Sequence, residues 1–385
     1  MASGRSGPLA DLAVIEMAGL GPAPFAAMFL SEMGASVLCV ERVDQPRLPP
    51  LPAEFDLARH GRAILRVDLK RPGSVDFLLS LMGRADVLIE GFRPGIMERL
   101  GLGPDEVFAV NPALVYARMT GFGQDGPLSS RAGHDLTYLA WSGVLSTIGE
   151  KGRKPVPPLN LVADYGGGAM FLIAGILAAL VERQRSSKGQ VVDAAMVDGA
   201  SMLAAPTTAW LAAGLWTEDR GSNLIDGSAP FYDTYQTADG GFVAVACLEP
   251  KFFAEFARLL PLDTRLAERQ YDRETWQEMR AAIAARLRER SRDAWERTFA
   301  GSDACVAPVL TLAEAAAHPA NVARRSHLRV GRLQRPSPAP RLSRSSLQVS
   351  APLQADEFEA SAILARFDID RAKLERLVAE GSIVE

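Results

Sequence analysis

The chain has 385 residues, which is more than one hydrophobic core comfortably holds, so its length predicts two domains. Its 42 basic and 46 acidic side chains leave a formal net charge of -4, which excludes the basic surface typical of nucleic-acid-binding proteins. An apolar content of 48% excludes a disordered acidic chain. Three widely spaced cysteines, Cys39, Cys247 and Cys305, argue against a disulfide framework and favour a reducing compartment. We therefore expect a small-molecule ligand.

The first residues and the longest apolar stretches bear on localisation. Arg5 gives the start of the chain one positive charge, but the apolar core of a secretory signal does not follow it. The apolar stretches at 170–181 and 200–215 are interrupted by polar residues or are too short for a bilayer, so we predict buried helices there. These features predict a cytoplasmic protein with neither a membrane nor a nucleic-acid partner.

The first third of the chain alternates predicted strands with predicted helices. Apolar runs predict strands at 12–16, 36–40, 86–90 and 114–118 and helices at 25–33 and 74–83, and residues 42–70, rich in proline, predict an irregular surface loop. This order is typical of an α/β fold with a parallel, Rossmann-like sheet. Gly19 and Gly21 follow the first strand, but Pro22 and Pro24 replace the spacing of a dinucleotide-binding loop, which disfavours NAD.

The texture of the sequence changes near residue 217. Before it we predict a helix at 167–183, a strand at 190–194 and a long helix to 215 with Asp198 as its N-cap. After it we predict strands at 231–237, 242–246 and 305–310, helices at 274–289 and 292–299, an extended crossing at 336–352 and a closing helix at 361–380. The domain prediction is therefore a large α/β domain at 1–215, a small α+β domain at 216–320, and a return crossing at 321–385 that completes the large domain.

Two titratable side chains in turn-rich contexts are candidate proton carriers. His134 lies between Gly133 and Asp135, and Asp164 lies about thirty residues on, before three glycines at 166–168. An imidazole and a carboxyl group in one site can take and give protons. Glycines that open a helix let a ligand approach backbone N–H groups at its positive end. The pattern favours chemistry through an oxyanion or enolate, with Asp135, Gly166 and Gly167 in support.

Each of these residues also has a structural alternative that the pattern leaves open. His134 is also explained as part of a surface pair at a helix start, and Asp164 as an N-cap of the glycine-rich helix. Glu249, before Pro250, is also explained as a first-turn acid favoured by the helix dipole. The four histidines, His60, His134, His318 and His327, are too scattered for a zinc site, so no metal is expected.

Several motifs in order resemble those of the α-methylacyl-CoA racemases, within the class III CoA-transferase (CaiB/BaiF) superfamily, over nearly the whole chain. The matching segments are 90–95 (EGFRPG), 117–124 (ARMTGFGQ), 133–135 (GHD), 158–168 (PLNLVADYGGG), 189–199 (GQVVDAAMVDG) and 303–310 (DACVAPVL). The resemblance implies a large Rossmann-like domain, a smaller α+β domain and an interlocked homodimer. Phe25 stands where close racemases often carry His, so the natural acyl group stays open.

The resemblance also implies roles for single residues. The family's catalytic histidine and aspartate fall on His134 and Asp164, and a supporting glutamate falls on Glu249, which the partner subunit would supply in trans. The implied positions for coenzyme A are Leu20, Arg42, Arg93, Arg99 and Tyr138. Arginine suits this task because its planar fork pairs with phosphates, although solvated surface arginines are commoner. No cofactor is implied, since the CoA moiety belongs to the substrate.

The activity that the resemblance implies is racemisation of 2-methylacyl-CoA thioesters by His134 and Asp164. The alternative is a CoA transferase of the same fold, in which Asp164 attacks the thioester and forms an anhydride. Residues 223–228 lack the glycine-rich loop that such transferases show, and His134 would be superfluous for that chemistry. A third alternative is a non-catalytic acyl-CoA-binding dimer, which is disfavoured because all three proton-handling residues are present.

Overall fold

The computed structural model describes residues 6–43, 51–350, 357–369, 371–381 and 383–384. The chain forms two compact units, the first made of Met1–Ser142, Leu159–Ala204 and Arg324–Glu385, and the second of Gly143–Pro158 and Ala205–Ala323. These ranges differ from the predicted domains at three places: the second unit begins at Ala205, ends at Ala323 and also includes Gly143–Pro158. The first difference arises because the predicted helix from Asp198 to Leu215 is in fact two helices, which meet where the chain changes unit.

Twelve strands are assigned among the described residues. They are β1 (Ala13–Met17), β2 (Ser36–Arg42), β3 (Arg62–Val67), β4 (Val87–Glu90), β5 (Val115–Thr120), β6 (Val191–Ala195), β7 (Tyr232–Gln236), β8 (Phe242–Ala246), β9 (Val306–Pro308), β10 (His327–Val330), β11 (Leu333–Pro336) and β12 (Ile383–Val384).

The α-helices of the described residues alternate with these strands in the first unit and dominate the second. They are α1 (Pro22–Glu32), α2 (Ser74–Met82), α3 (Ile96–Arg99), α4 (Pro104–Val110), α5 (Asp135–Trp141), α6 (Met170–Ser186), α7 (Met196–Leu203), α8 (Ala205–Ala212), α9 (Pro250–Leu259), α10 (Thr264–Ala267), α11 (Trp276–Leu287), α12 (Arg292–Phe299), α13 (Leu312–Ala317), α14 (Pro319–Arg324), α15 (Glu357–Arg366) and α16 (Arg371–Ala379). A π-helix, Leu161–Ala169, directly precedes α6.

The first unit is built on a seven-stranded sheet in the order β12-β3-β2-β1-β4-β5-β6. The six strands β1 to β6 are parallel, and β12 pairs antiparallel with β3 at the edge. The strand order reverses between β1 and β4, and open α/β sheets of this kind bind ligands outside the carboxyl ends of the strands at that reversal. The predicted α/β class with a parallel sheet is confirmed.

Strand β3 corrects the prediction of an irregular loop at 42–70. The strand runs from Arg62 to Val67, after the last proline of the stretch, and pairs in parallel with β2. Arg62 is only 1% exposed, because its guanidinium donates to Glu16 Oε2 on β1 at 2.5 Å. A charged residue in a proline-rich context predicts a surface loop, and the buried partner that overrides this prediction is 46 residues away. Residues 44–50 of the predicted loop lie outside the described residues.

The second unit packs helices on the antiparallel sheet β7-β8-β9. The predicted hairpin of β7 and β8 is present, and Thr237 N donates to Gly241 O at 2.9 Å across its turn. The core of this unit is rich in aromatic side chains, among them Phe231, Phe253, Phe256, Trp276 and Trp295. These rings stabilise a unit that is otherwise made of short, charge-rich helices.

Two further helix predictions need correction. Asp198 is not an N-cap, because α7 begins two residues before it and places it in the first turn. The closing helix predicted at 361–380 is divided into α15 and α16. One stretch, Leu161–Ser186, is by length and composition alone apolar enough to cross a membrane, and 39% of its most apolar window is buried in this fold. Core helices of soluble proteins pass the same test, so this stretch is weak evidence for a membrane span.

Candidate active site

His134 lies at the start of α5 in the first unit. It is the N-cap residue, with an extended backbone, and its side chain is exposed. Thr137 fixes the backbone on both sides of the imidazole: its Oγ1 accepts from His134 N at 3.0 Å and donates to His134 O at 2.8 Å. The helix start therefore presents the imidazole at a defined position. The alternative that His134 is a helix-start residue therefore describes its backbone correctly. In this position the imidazole ring stays accessible.

Asp164 lies in the middle of the π-helix Leu161–Ala169, which corrects the helix start predicted near Gly167. Since helical structure begins at Leu161, Asp164 is three residues inside it and does not act as an N-cap. The π-helix is a rare, wide turn that is frequent at functional sites. Asn160 Nδ2 lies 3.3 Å from Asp164 Oδ2, and a Cβ built on Gly21 would lie 3.3 Å from the same oxygen. Gly21 has a φ of 69° and begins α1, so this glycine makes room for the carboxyl group.

Asp135 connects the two candidate proton carriers. It is the first residue of α5, next to His134, and it is buried. Its Oδ2 accepts the backbone N–H groups of Ala163 at 2.9 Å and of Asp164 at 2.8 Å. One side chain thus ties the segment of His134 to the segment of Asp164. The Asp164 N–H is therefore used within the fold as a donor to Asp135.

The surroundings of Asp164 favour its protonated form. Burial raises the pKa of its carboxyl group, and the neighbouring Asp135 carboxylate raises it further, whereas the Asn160 amide and His134 lower it. The net direction of the shift is upward. The influence of His134 on this pKa also shows that the imidazole lies within electrostatic reach of Asp164.

The glycine run at 166–168 has a packing function in this fold. A Cβ on Gly167 would lie 2.5 Å from Ala200 N, and a Cβ on Gly199 would lie 1.8 Å from Gly167 O. A Cβ on Gly166 or Gly168 would instead meet the side chains of Leu203 and Met196, at 3.3 Å and 2.9 Å. Gly167 and Gly199 therefore let the π-helix pack backbone to backbone against α7. The predicted supporting role of Gly166 and Gly167 at the site stays a prediction, while the packing of Gly167 holds the segment that carries Asp164.

Tyr138 and Arg93 extend the site from Asp164. The ring of Tyr138 is buried between Gly121 and Gly133, where a Cβ would lie 2.0 Å and 2.4 Å from the ring carbon Cε1. Burial and Asp164 raise the pKa of the Tyr138 phenol, and Arg93 lowers it. The three side chains are therefore electrostatic neighbours within the first unit. Tyr138 also packs edge-on against Phe122, so this residue contributes to packing as well.

Three of the residues predicted to bind coenzyme A, Leu20, Arg42 and Arg93, lie at the carboxyl ends of adjacent strands. Leu20 follows β1 and is 62% exposed, Arg42 ends β2, and Arg93 follows β4. Arg99 ends α3, directly after the Arg93 segment, and both arginines are exposed. Since β2, β1 and β4 are neighbours, these side chains share the sheet edge at which the strand order reverses. Their binding roles stay predictions.

Glu249 belongs to the second unit. It is the N-cap of α9, before Pro250, and its side chain is exposed. Within its own unit it is an electrostatic neighbour of Tyr271 and Cys305, whose pKa values it raises together with burial. The dipole alternative fits this position, because an acidic side chain at a helix N-terminus is stabilised there. Its predicted catalytic role stays a prediction.

Several residues near the site were not singled out from the sequence for the roles that the structure gives them. They are Asn160, Gly21, the buried pair of Glu90 and Arg118, and the exposed Glu98. The contacts of Arg118 with Glu90 and Glu98 span 28 and 20 residues, so no local pattern shows them. Asn160 lies four residues from Asp164, which it contacts. In the described part of the chain, His, Cys, Asp and Glu side chains form no group of three that could hold a metal ion.

Comparison with known proteins places the chain in a family. The family model described as CoA-transferase family III matches residues 9–355. The chain is 46% identical over 344 residues to the α-methylacyl-CoA racemase of Mus musculus, covering 89% of this chain and 88% of that protein. It is 44% identical over 322 residues to the Homo sapiens racemase, covering 83% and 82%. A CaiB/BaiF family protein of Brucella suis superposes with a TM-score of 0.77 at 25% identity, covering 90% of this chain and 96% of that one. The chain belongs to CoA-transferase family III and, within it, is similar to the α-methylacyl-CoA racemases.

Proposed function

We propose that this protein is a racemase or epimerase of 2-methylacyl-CoA thioesters, with His134 and Asp164 as its two acid–base groups. The observation that carries the proposal is that Asp135, next to the exposed His134, accepts the backbone N–H groups of Ala163 and Asp164 and so connects the two segments. The imidazole is exposed, whereas burial raises the pKa of the Asp164 carboxyl group. Two titratable groups whose surroundings differ in this way are typical of paired acid and base roles. The similarity to racemases over most of the chain supports the same activity.

The chemistry needs one proton removed from the carbon next to the thioester and one returned to the opposite face. In one direction neutral His134 takes the α-proton, the thioester becomes an enolate, and protonated Asp164 gives a proton to the other face. The product state then holds charged His134 and ionised Asp164, which is the starting state for the reverse direction. A raised pKa of Asp164 keeps its acid form available nearer to neutral pH.

The experiment that tests this function uses one epimer of a 2-methylacyl-CoA in heavy water. We expect the substrate to gain deuterium at the α-carbon and to lose its optical purity at matched rates, because every inversion passes through the enolate. Mass spectrometry and chiral chromatography of the same samples measure both quantities. A protein that inverts neither epimer and introduces no deuterium would not be a racemase.

The transferase alternative rests on the family description and on the partly accessible carboxyl group of Asp164. In that reaction an Asp164 oxygen bonds to the thioester carbonyl carbon, the C–S bond breaks, and CoA leaves as its thiolate. This alternative predicts transfer of CoA to an added free carboxylic acid, and trapping of Asp164 as a hydroxamate by hydroxylamine. The absence of both products would exclude it.

We also propose that the protein works as a homodimer in which Glu249 of one subunit completes the site of the other. Several large apolar side chains are more than half exposed in the single chain, which supports a surface that a second subunit covers. On the helices of residues 161–203 they include Leu161, Val181 and Met202. Helix α8, Ala205–Ala212, buries none of its residues within the single chain. Exposed apolar areas of this extent are typical of interfaces.

Complementation between inactive variants tests the placement of Glu249. We expect Asp164→Ala and Glu249→Ala to be inactive separately, and a mixed dimer of the two to regain about half of the wild-type activity per dimer, since one of its two symmetric sites is then intact. Differently tagged subunits, co-expressed and purified through both tags, provide the mixed dimer. A mixed dimer without activity, or a monomer in light scattering, would contradict the proposal.

A further inference from the structure

The segment between β4 and α3 carries Arg93 and is held by three charged side chains, the buried Glu90 and Arg118 and the more exposed Glu98. We call residues 91–95 the Arg93 loop. It leaves β4 beside the central strand β1, and α3, which follows it, ends at Arg99. Gly95 closes the loop with a φ of 81°, a conformation that favours glycine. Gly95 therefore gives the loop a defined shape, and we expect the charged side chains that bind its two ends to set its orientation.

Glu90 fixes the beginning of the Arg93 loop. It is the last residue of β4 and is fully buried. Its Oε2 accepts the backbone N–H of Phe92 at 2.7 Å, and its Oε1 accepts Nε of Arg118 at 2.8 Å. Burial raises the pKa of Glu90, while these two donors act against that change. Both oxygens of a buried carboxyl group are thus used to hold one turn of the loop.

Arg118 fixes the other end through α3. It comes from β5, directly opposite Glu90 in the sheet register, and is 5% exposed. Its two terminal nitrogens bind the carboxylate of Glu98, with Nη1 at 2.8 Å from Oε1 and Nη2 at 3.3 Å from Oε2. This fork geometry is directional and strong, and it lowers the pKa of Glu98. A single guanidinium therefore connects both ends of the Arg93 loop.

The orientation of the loop matters because Arg93 follows the carboxyl end of β4, beside β1, where the strand order reverses and ligands of such sheets bind. Arg93 also lowers the pKa of Tyr138, which agrees with this placement. A loop that tilted would move the Arg93 cation relative to Tyr138. Holding a binding group in place before the ligand arrives reduces the ordering cost of binding.

We propose that Glu90, Arg118 and Glu98 are positioning residues that orient the Arg93 loop so that Arg93 binds the anionic nucleotide end of a CoA thioester. The inference rests on the proposed function only for the identity of this ligand. None of the three residues has a part in the proton transfer. Their effect is on the affinity for the nucleotide end and not on the chemical step.

The test replaces Glu98 by Gln, which keeps its shape and removes its charge. We expect the affinity for free CoA, measured by calorimetry, to fall by roughly fivefold to twentyfold, and KM for acyl-CoA to rise equally with kcat unchanged. An acyl N-acetylcysteamine thioester lacks the nucleotide, so its turnover should not change. Asp105→Asn, an exposed carboxylate on neighbouring α4, is the matched control and should bind CoA as the wild type does.

A double variant separates positioning from a general loss of stability. Arg93→Ala should weaken CoA binding as Glu98→Gln does, and the combination should be no weaker than Arg93→Ala alone, because both changes remove one function. Wild-type CoA affinity of Glu98→Gln, additive losses in the double variant, or equal impairment with the truncated thioester would each overturn the proposal. CoA calorimetry needs no turnover, so the proposal is tested even if the protein racemises nothing.

Discussion

Asp164→Asn should abolish racemisation and leave one half of the reaction. We expect inversion to fall by about 10²–10⁴-fold, since a positioned acid or base contributes that much. His134 remains on its own face of the substrate, so one epimer should still exchange its α-proton for deuterium without inverting. The other epimer should be inert. His134→Gln should give the mirror result, with exchange of the opposite epimer only.

The different burial of His134 and Asp164 predicts that the two variants incorporate different amounts of deuterium. The His134 side chain is exposed, so its proton exchanges readily with solvent, whereas the Asp164 carboxyl group is half-buried. We therefore expect more deuterium incorporation in Asp164→Asn than in His134→Gln. Nuclear magnetic resonance of each pure epimer in heavy water measures both.

The matched control for these variants is Asp198→Asn, an exposed carboxylate in the first turn of α7. The Asp198→Asn variant should invert the substrate at the wild-type rate, because Asp198 acts at a helix N-terminus and not in catalysis. Exchange of both epimers in either single variant would show that His134 and Asp164 do not serve opposite faces. Retained inversion in Asp164→Asn would contradict the two-group mechanism altogether.

The central strands were predictable because they are continuous buried runs. The residues of β1, β4 and β5 are all buried, and the predicted strands at 12–16, 86–90 and 114–118 overlap them with ends shifted by one or two residues. Parallel strands covered on both faces read as apolar runs, so the local pattern carries the information. For β3 the deciding contact is the distant pair of Glu16 and Arg62, which no local pattern contains.

The sequence indicates candidate residues for the site but does not indicate how they are connected. The motif around His134 and the segment around Asp164 are recognisable one at a time. What joins them is Asp135, whose contacts with Ala163 and Asp164 span 28 and 29 residues. The glycines after Asp164 suggested a ligand-binding helix start, because the packing partner Gly199 is not evident from the sequence.

Asp135→Ala should strongly reduce the rate of inversion, because Asp135 positions the segment that carries Asp164. It leaves the N–H groups of Ala163 and Asp164 without their acceptor, and an unpaired buried donor costs about 1–3 kcal/mol. The π-helix then no longer has its contact with the first residue of α5. We expect inversion to fall by roughly 10²-fold, the effect of a small misplacement of a reacting group, and steady-state kinetics of both epimers measure it.

Asp135→Asn separates this positioning from the effect of charge. The Asn oxygen still accepts both N–H groups, but the negative charge that raises the pKa of Asp164 is gone, so that pKa should fall. The direction that needs protonated Asp164 is lost as the pH rises through this pKa, so its alkaline limb should move to lower pH. The direction that needs ionised Asp164 should stay active to lower pH. Besides burial, the groups that shift the pKa of Asp164 are Asp135, Asn160 and His134, and Tyr138 is a further electrostatic neighbour. Asn160→Ala removes a hydrogen bond that lowers the pKa of Asp164, so it should shift both limbs upward. Shifts of the same sign in the two variants, measured as pH–rate profiles in both directions, would show that Asp135 acts on something other than the charge of Asp164.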